Sequence, residues 1–143
     1  MNIYFSCSIT GGRDDQAIYQ ILVDFLIQNR HEVPTASLAR PDVLSDEGTS
    51  GDREVFNRDV SWVKNCDALI AEVSTPSHGV GYEIALACSL NKPILCCYRK
   101  GRKVSKMLLG NTNPRMRFFG YSTPDEALAM VSGFILDIEK GTL

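Results

Sequence analysis

Residues 67–88, DALIAEVSTPSHGVGYEIALAC, hold the side chains best suited to chemistry. Ser77, Gly79 and Gly81 offer a hydroxyl and open backbone beside a helix start, a setting that suits an anion. Glu83 follows two residues later, and a carboxylate does not suit an anion. One end of such a site therefore holds an anionic group, and the other uses a carboxylate for chemistry. A second turn, SCSITGGR at 6–13, brings Ser8, Ile9, Thr10, Gly11, Gly12 and Arg13 to another helix start. Hydroxyls, flexible backbone and an arginine are again suited to phosphate. The turn has neither the G-x-G-x-x-G spacing of a dinucleotide site nor the Gly-Lys-Ser/Thr of a Walker loop. That argues against a dinucleotide oxidoreductase. Two such turns on neighbouring strand ends can hold one phosphate between them.

Glu83 has two readings. It is a helix-start carboxylate favoured by the dipole, or a nucleophile for an anomeric carbon that develops positive charge. The second needs an acid to protonate the leaving group. Asp59 is the first candidate, because it falls among the apolar residues of a helix, where acids are uncommon. Asp52 and Asp67 stand behind it, and Asp67 reads as structural because it opens a strand. Tyr4, in the first strand, either orients Glu83 or is a core tyrosine with its hydroxyl at the rim. His78 reads as a loop-surface histidine before a base or ligand.

The elements that must position these groups alternate. Strands are expected over residues 2–8, 31–35, 67–73, 93–98 and 115–119, the second ended early by Pro34. Helices are expected over 17–29, 53–66, 82–88 and 127–140, with Asp14 and Asp15 in the first turn of the first of them. A short helix entered near Ser105 follows a basic turn, and Thr123-Pro124 caps the last helix. Residues 36–52 are a long polar loop, of the kind that often serves function. Strands alternating with helices give a parallel sheet covered on both faces.

At 143 residues the chain reads as one domain, 1–143, large enough for a full core. Its net charge of -2 leaves no electrostatic footprint for a nucleic-acid polymer. No apolar run reaches membrane-spanning length, so no membrane partner is expected. The opening MNIYFSCSI has no basic segment and is too short for a signal peptide, which points to the cytoplasm or nucleus. Five cysteines at spacings that match no zinc pattern read as buried free thiols, so neither metal nor cofactor is expected.

Five blocks carry a resemblance: YFSCSITGGRDD at 4–15, DVSW at 59–62, AEVSTPSHGVGYE at 71–83, KPILC at 92–96 and RKVSKM at 102–107. Together they resemble the 2'-deoxynucleoside 5'-phosphate N-hydrolases, relatives of the nucleoside 2-deoxyribosyltransferases, over nearly the whole chain. The resemblance implies a Rossmann-like (flavodoxin-like) α/β sandwich whose five-stranded parallel sheet is flanked by helices. It implies cleavage of the N-glycosidic bond of deoxynucleoside monophosphates, giving free base and 2-deoxyribose 5-phosphate through a glycosyl-Glu intermediate.

In that family Glu83 matches the nucleophile, Asp59 the general acid and Tyr4 the tyrosine that positions the nucleophile. Ser8 and Ser77 match phosphate-binding serines, and Gly79 lies in the same loop. Ser105 matches a serine that reaches the phosphate in the neighbouring subunit's site, so a homodimer is implied. The transferase relatives use an asparagine there for a sugar hydroxyl, and the serine favours a nucleotide over a nucleoside. Thr10 stands where close members carry arginine, His78 replaces an apolar residue, and Ser37 falls where relatives have a histidine near the base. These departures bear on base preference. Base exchange by a transferase and nucleotide binding without catalysis are the rival readings.

Overall fold

A computed structural model describes residues 1–9, 12, 14–39 and 51–143. The chain runs β1 (Ile3–Ser6), α1 (Gln16–Gln28), a 3-10 turn (Ala36–Ala39), α2 (Asp52–Asn65), β2 (Ala68–Glu72) and α3 (His78–Ser89). It continues through β3 (Ile94–Arg99), α4 (Lys106–Leu109), β4 (Met116–Tyr121) and α5 (Pro124–Glu139). The sheet order is β1-β2-β3-β4 and every pairing is parallel. All residues of β1 and β2 are buried. Strands covered on both faces need no polar side, which explains their continuous apolar runs.

Side-chain alternation divides the core in two. Ile3, Phe5, Ile70 and Leu95 pack against Leu22 and Leu26 of α1 and Val131 and Phe134 of α5. Tyr4, Leu69, Ala71 and Ile94 pack on the other face with Val63 of α2 and Ile84 and Ala87 of α3. Thr123 caps α5 as expected, its hydroxyl accepting from Glu126 N at 3.2 Å, with Pro124 in the first turn.

Three expectations need correction. The sheet has four strands among the described residues, not five. Residues 31–35 contribute only a bridge, Glu32 to Asn2, on the outer side of β1. Beyond it Pro34 has no N–H to give a ladder, and the Thr35 hydroxyl accepts from Phe5 N at 3.0 Å, where a strand carbonyl would have paired. Next, α3 begins at His78 with Ser77 as its cap, so Gly79 and Gly81 lie within its first turns and not in a loop ahead of it. Lastly, Asp15 is the residue before α1 and makes no capping bond. It is buried, paired with Arg99 Nη2 at 2.6 Å, and accepts from the Thr75 hydroxyl at 3.1 Å.

All five cysteines carry free thiols, four of them buried and Cys88 half-buried. Burial pushes the thiols of Cys96 and Cys97 up, as an apolar strand should. Among the described residues no helix is long and apolar enough to cross a membrane. None of their His, Cys, Asp and Glu side chains cluster in threes as metal ligands would.

Candidate active site

The carboxyl ends of β1 and β2 are adjacent, with Ser6 in register with Ala71. The loops that leave them meet at Gly12, whose φ of +133° is open to glycine and strained for other residues. A Cβ there would stand 3.5 Å from Thr75 Cγ2 of the second loop. The Asp15 carboxylate fastens the same two loops together, through Thr75 and through Arg99 at the end of β3. Behind this clamp lies a second buried carboxylate, Glu72. It accepts from the Ser74 hydroxyl, from Ser74 N at 3.1 Å and from Tyr121 Oη at 2.8 Å. The Ser74 hydroxyl in turn accepts from Arg99 N at 2.7 Å. Burial pushes the Glu72 carboxyl up, and the hydrogen bonds oppose it. Composition alone hid Glu72, because it ends an otherwise apolar run.

Glu83 lies in the second turn of α3, beyond the reach of a simple end effect, and faces the sheet. Its Oε2 accepts from the Ser6 hydroxyl at 2.5 Å, and its carboxylate is also hydrogen-bonded to Tyr4. Burial pushes the Glu83 carboxyl up to about 7, against the bonds from Ser6 and Tyr4. The charge of Asp59 adds to the rise, and Arg58 opposes it. Tyr4 is buried, and burial together with the Glu83 charge drives its phenol far above the ordinary value of 10.0. It stays protonated and donates. Ser6 is the residue that sequence reasoning missed. The signal was its parity in β1: Tyr4 and Ser6 point to one face, and that face carries α3.

Asp59 comes from α2. Its Oδ1 pairs with Arg58 Nε at 2.8 Å, and the Arg58 guanidinium lies 4.9 Å from the Trp62 ring centroid. Asp59, Glu83 and Gly79 line one pocket of about 210 Å³, walled by Phe56, Tyr82 and Leu86 among others. Phe56 and Tyr82 meet edge to face at 6.0 Å and are both half exposed. A wider cleft of about 830 Å³ adjoins it across the first turn of α3, where Ser77, His78 and Ser105 are among its lining.

The structure thus gathers Tyr4, Asp59, Glu83 and Gly79, and sets Ser77 on the adjoining cleft. Ser8 is buried past the end of β1, and Ile9 is half-buried. Ser105 is exposed, capping α4 by accepting from Met107 N at 3.2 Å, and does not line the Glu83 pocket of its own chain. Thr10, Gly11 and Arg13 lie outside the described residues. Of the rival acids, Asp67 accepts from Asn2 N at 2.7 Å, a structural bond, and Asp52 is exposed in the first turn of α2. His78 is exposed at the start of α3, and Ser37 is exposed in the 3-10 turn.

A family model described as nucleoside 2-deoxyribosyltransferase matches residues 3–140. The chain belongs to that family. It is 46% identical over 114 residues to the 5-hydroxymethyl-dUMP N-hydrolase of Danio rerio, a match covering 77% of this chain and 78% of that one. The enzyme of the same name from Mus musculus is 35% identical over 146 residues, covering 99% of this chain and 84% of its own. Among solved structures, the Clostridium botulinum CMP N-glycosidase BcmB superposes with a TM-score of 0.70. It is 19% identical and covers 93% of this chain and 99% of its own, a likeness of fold.

Proposed function

We propose that this chain hydrolyses the N-glycosidic bond of 2'-deoxynucleoside 5'-monophosphates by double displacement. Glu83 attacks C1' as the bond to the base breaks, and Asp59 gives its proton to the departing base. Water then attacks C1' as the bond to Glu83 breaks and frees its carboxylate; the water yields a proton to Asp59, and 2-deoxyribose 5-phosphate leaves. One observation carries the reading: a carboxylate in a pocket, gripped from behind by Tyr4 and Ser6, with a second carboxylate on the same pocket wall. An oxocarbenium-like transition state is stabilised by such an adjacent negative charge. A sugar without a 2'-hydroxyl forms that cation more readily. The two relatives, each named an N-hydrolase of a deoxynucleotide, support the same substrate class.

The phosphate is assigned to the loop after β1 and the start of α3, through Ser8, Ile9, Thr10, Gly11, Gly12, Arg13, Ser77 and Gly79. Contacts far from C1' supply binding energy that places it against Glu83. The test is a panel of deoxynucleoside monophosphates, ribonucleoside monophosphates and deoxynucleosides, with free base quantified for each. The expected result is base release confined to the deoxynucleoside monophosphates. Exchange of base between a deoxynucleoside and a second free base, without need of phosphate, would make the chain a transferase instead. Binding without either product would make it a nucleotide-binding module.

The acting unit is assigned as a homodimer in which Ser105 reaches the phosphate in the neighbouring subunit's site. Its exposure supports this. So do the exposed Phe56, Tyr82, Met107 and Leu109 on the same layer, since large apolar side chains in one region mark an association surface. A hydrogen bond to a charged group is worth roughly 1.5–3 kcal/mol. Ser105→Ala is therefore expected to raise KM for the nucleotide ~10-fold or more with kcat little changed. Steady-state kinetics on the dimer, with its mass confirmed in solution, checks this. An unchanged KM contradicts the assignment. The free thiols suit a reducing compartment, and we assign the chain to the cytoplasm or nucleus.

A further inference from the structure

We infer that Ser6 is a positioning residue for Glu83: its hydroxyl fixes one carboxylate oxygen, Oε2, and so turns the other, Oε1, toward the pocket as the attacking atom. The inference rests on the double-displacement reading above and adds to it which oxygen attacks and what holds the other.

The geometry is built into β1. Strand alternation sends Tyr4 and Ser6 to the face that carries α3, two residues apart and therefore side by side beneath Glu83. Ser6 is 2% exposed, so no solvent competes for its proton. Its Oγ lies 2.5 Å from Oε2, at the short end for a hydroxyl on a carboxylate, where charge assistance strengthens the bond. The two carboxylate oxygens are thereby made unequal. Oε1 faces Gly79, standing 3.9 Å from where a Cβ on that residue would be. Gly79 also lines the pocket shared with Asp59. Oε2 is turned to Ser6 at the back and Oε1 toward Gly79 and the pocket, the orientation that a nucleophile needs before substrate arrives.

A second consequence is electrostatic. Burial works against an ionised Glu83, and the Ser6 hydroxyl is the first of the groups that oppose it. Without that donor the carboxylate is freer to rotate and ionises only at higher pH.

The test uses Ser6→Ala and Ser6→Thr in the full chain. It has two readouts, the pH dependence of kcat/KM and the titration of the Glu83 carboxyl carbon by NMR. S6A is expected to lower kcat at neutral pH ~10-fold, with KM within about 2-fold of wild type. Its acid limb and its Glu83 titration both move to higher pH, by roughly one unit. S6T keeps the hydroxyl and is expected to restore both. A folded S6A whose Glu83 titrates as in wild type overturns the inference, whether or not the chain releases base. An S6T that titrates like S6A overturns it too. Failure of the wild-type chain to release base from any deoxynucleoside monophosphate overturns the reading beneath it instead, and the NMR titration tells the two failures apart.

Discussion

Glu83→Gln removes base release, with kcat/KM lower by ~10⁴-fold or more, and makes the folded chain more heat-stable at pH 8. The first effect follows from the role assigned to the carboxylate: an amide cannot form the glycosyl ester. The second follows from where that carboxylate sits. In the fold it holds its proton up to about pH 7, whereas its ordinary value is 4.5. Between those two pH values the folded chain keeps a proton that the unfolded chain has lost. Stability therefore falls as pH rises through that window, and above it the buried charge costs roughly 3 kcal/mol. Glutamine fills the same space without the charge. The gain is expected to be roughly 1–3 kcal/mol at pH 8 and close to nothing at pH 4.5. Thermal unfolding of both proteins at the two pH values checks it. A glutamine variant less stable than wild type at both would show Glu83 to be a structural group. The same titration sets the activity profile: kcat/KM of the wild type climbs with pH through about 7, as the nucleophile ionises.

Asp59→Asn lowers kcat by ~10²–10³-fold on a natural base and by less than ~10-fold when the leaving group needs no proton. The contrast is what defines a general acid. Asparagine matches the shape and keeps a hydrogen bond to Arg58, whose guanidinium is steadied against Trp62. Packing of α2 is thus preserved, and the loss falls on proton delivery alone. The comparison substrate is a 2-deoxyribosyl 5-phosphate carrying a nitrophenolate in place of the base. An equal loss on both substrates would move Asp59 from proton donor to binding group.

Much of the architecture was readable because its causes are local. Short, largely apolar runs at 67–73 and 93–98, bounded by turn formers, read as buried strands, and the Thr123-Pro124 cap marks α5 by chemistry alone. Gly79 and Gly81 misled the reading of α3. Glycine lowers helix propensity, but packing of Val80 and Ile84 on β2 outweighs the loss. The fifth strand failed for a related reason. One hydrogen bond from Phe5 N to a threonine side chain took the place of a ladder, a choice that periodicity does not encode.

The candidate site divides the same way. The residue types and spacing pointed to Glu83 and put Asp59 ahead of Asp52 and Asp67. They left Tyr4 between orienting Glu83 and a core role, and the family resemblance chose the first. Ser6 and Glu72 escaped both readings. The Ser6 bond to Glu83 spans 77 positions, and Tyr121 meets Glu72 across 49. Neighbouring residues carry no trace of such contacts. They exist because a parallel sheet brings the ends of distant strands together.

The central claim is that Glu83 becomes covalently bonded to C1'. It is tested by rapid quenching of the enzyme with a deoxynucleoside monophosphate, followed by mass spectrometry of its peptides. A 2-deoxyribose 5-phosphate adduct on the peptide containing Glu83, formed and lost at rates compatible with turnover, is the expected result. No adduct during turnover, together with methanol captured at C1' with inverted configuration, would contradict it and make water the direct nucleophile.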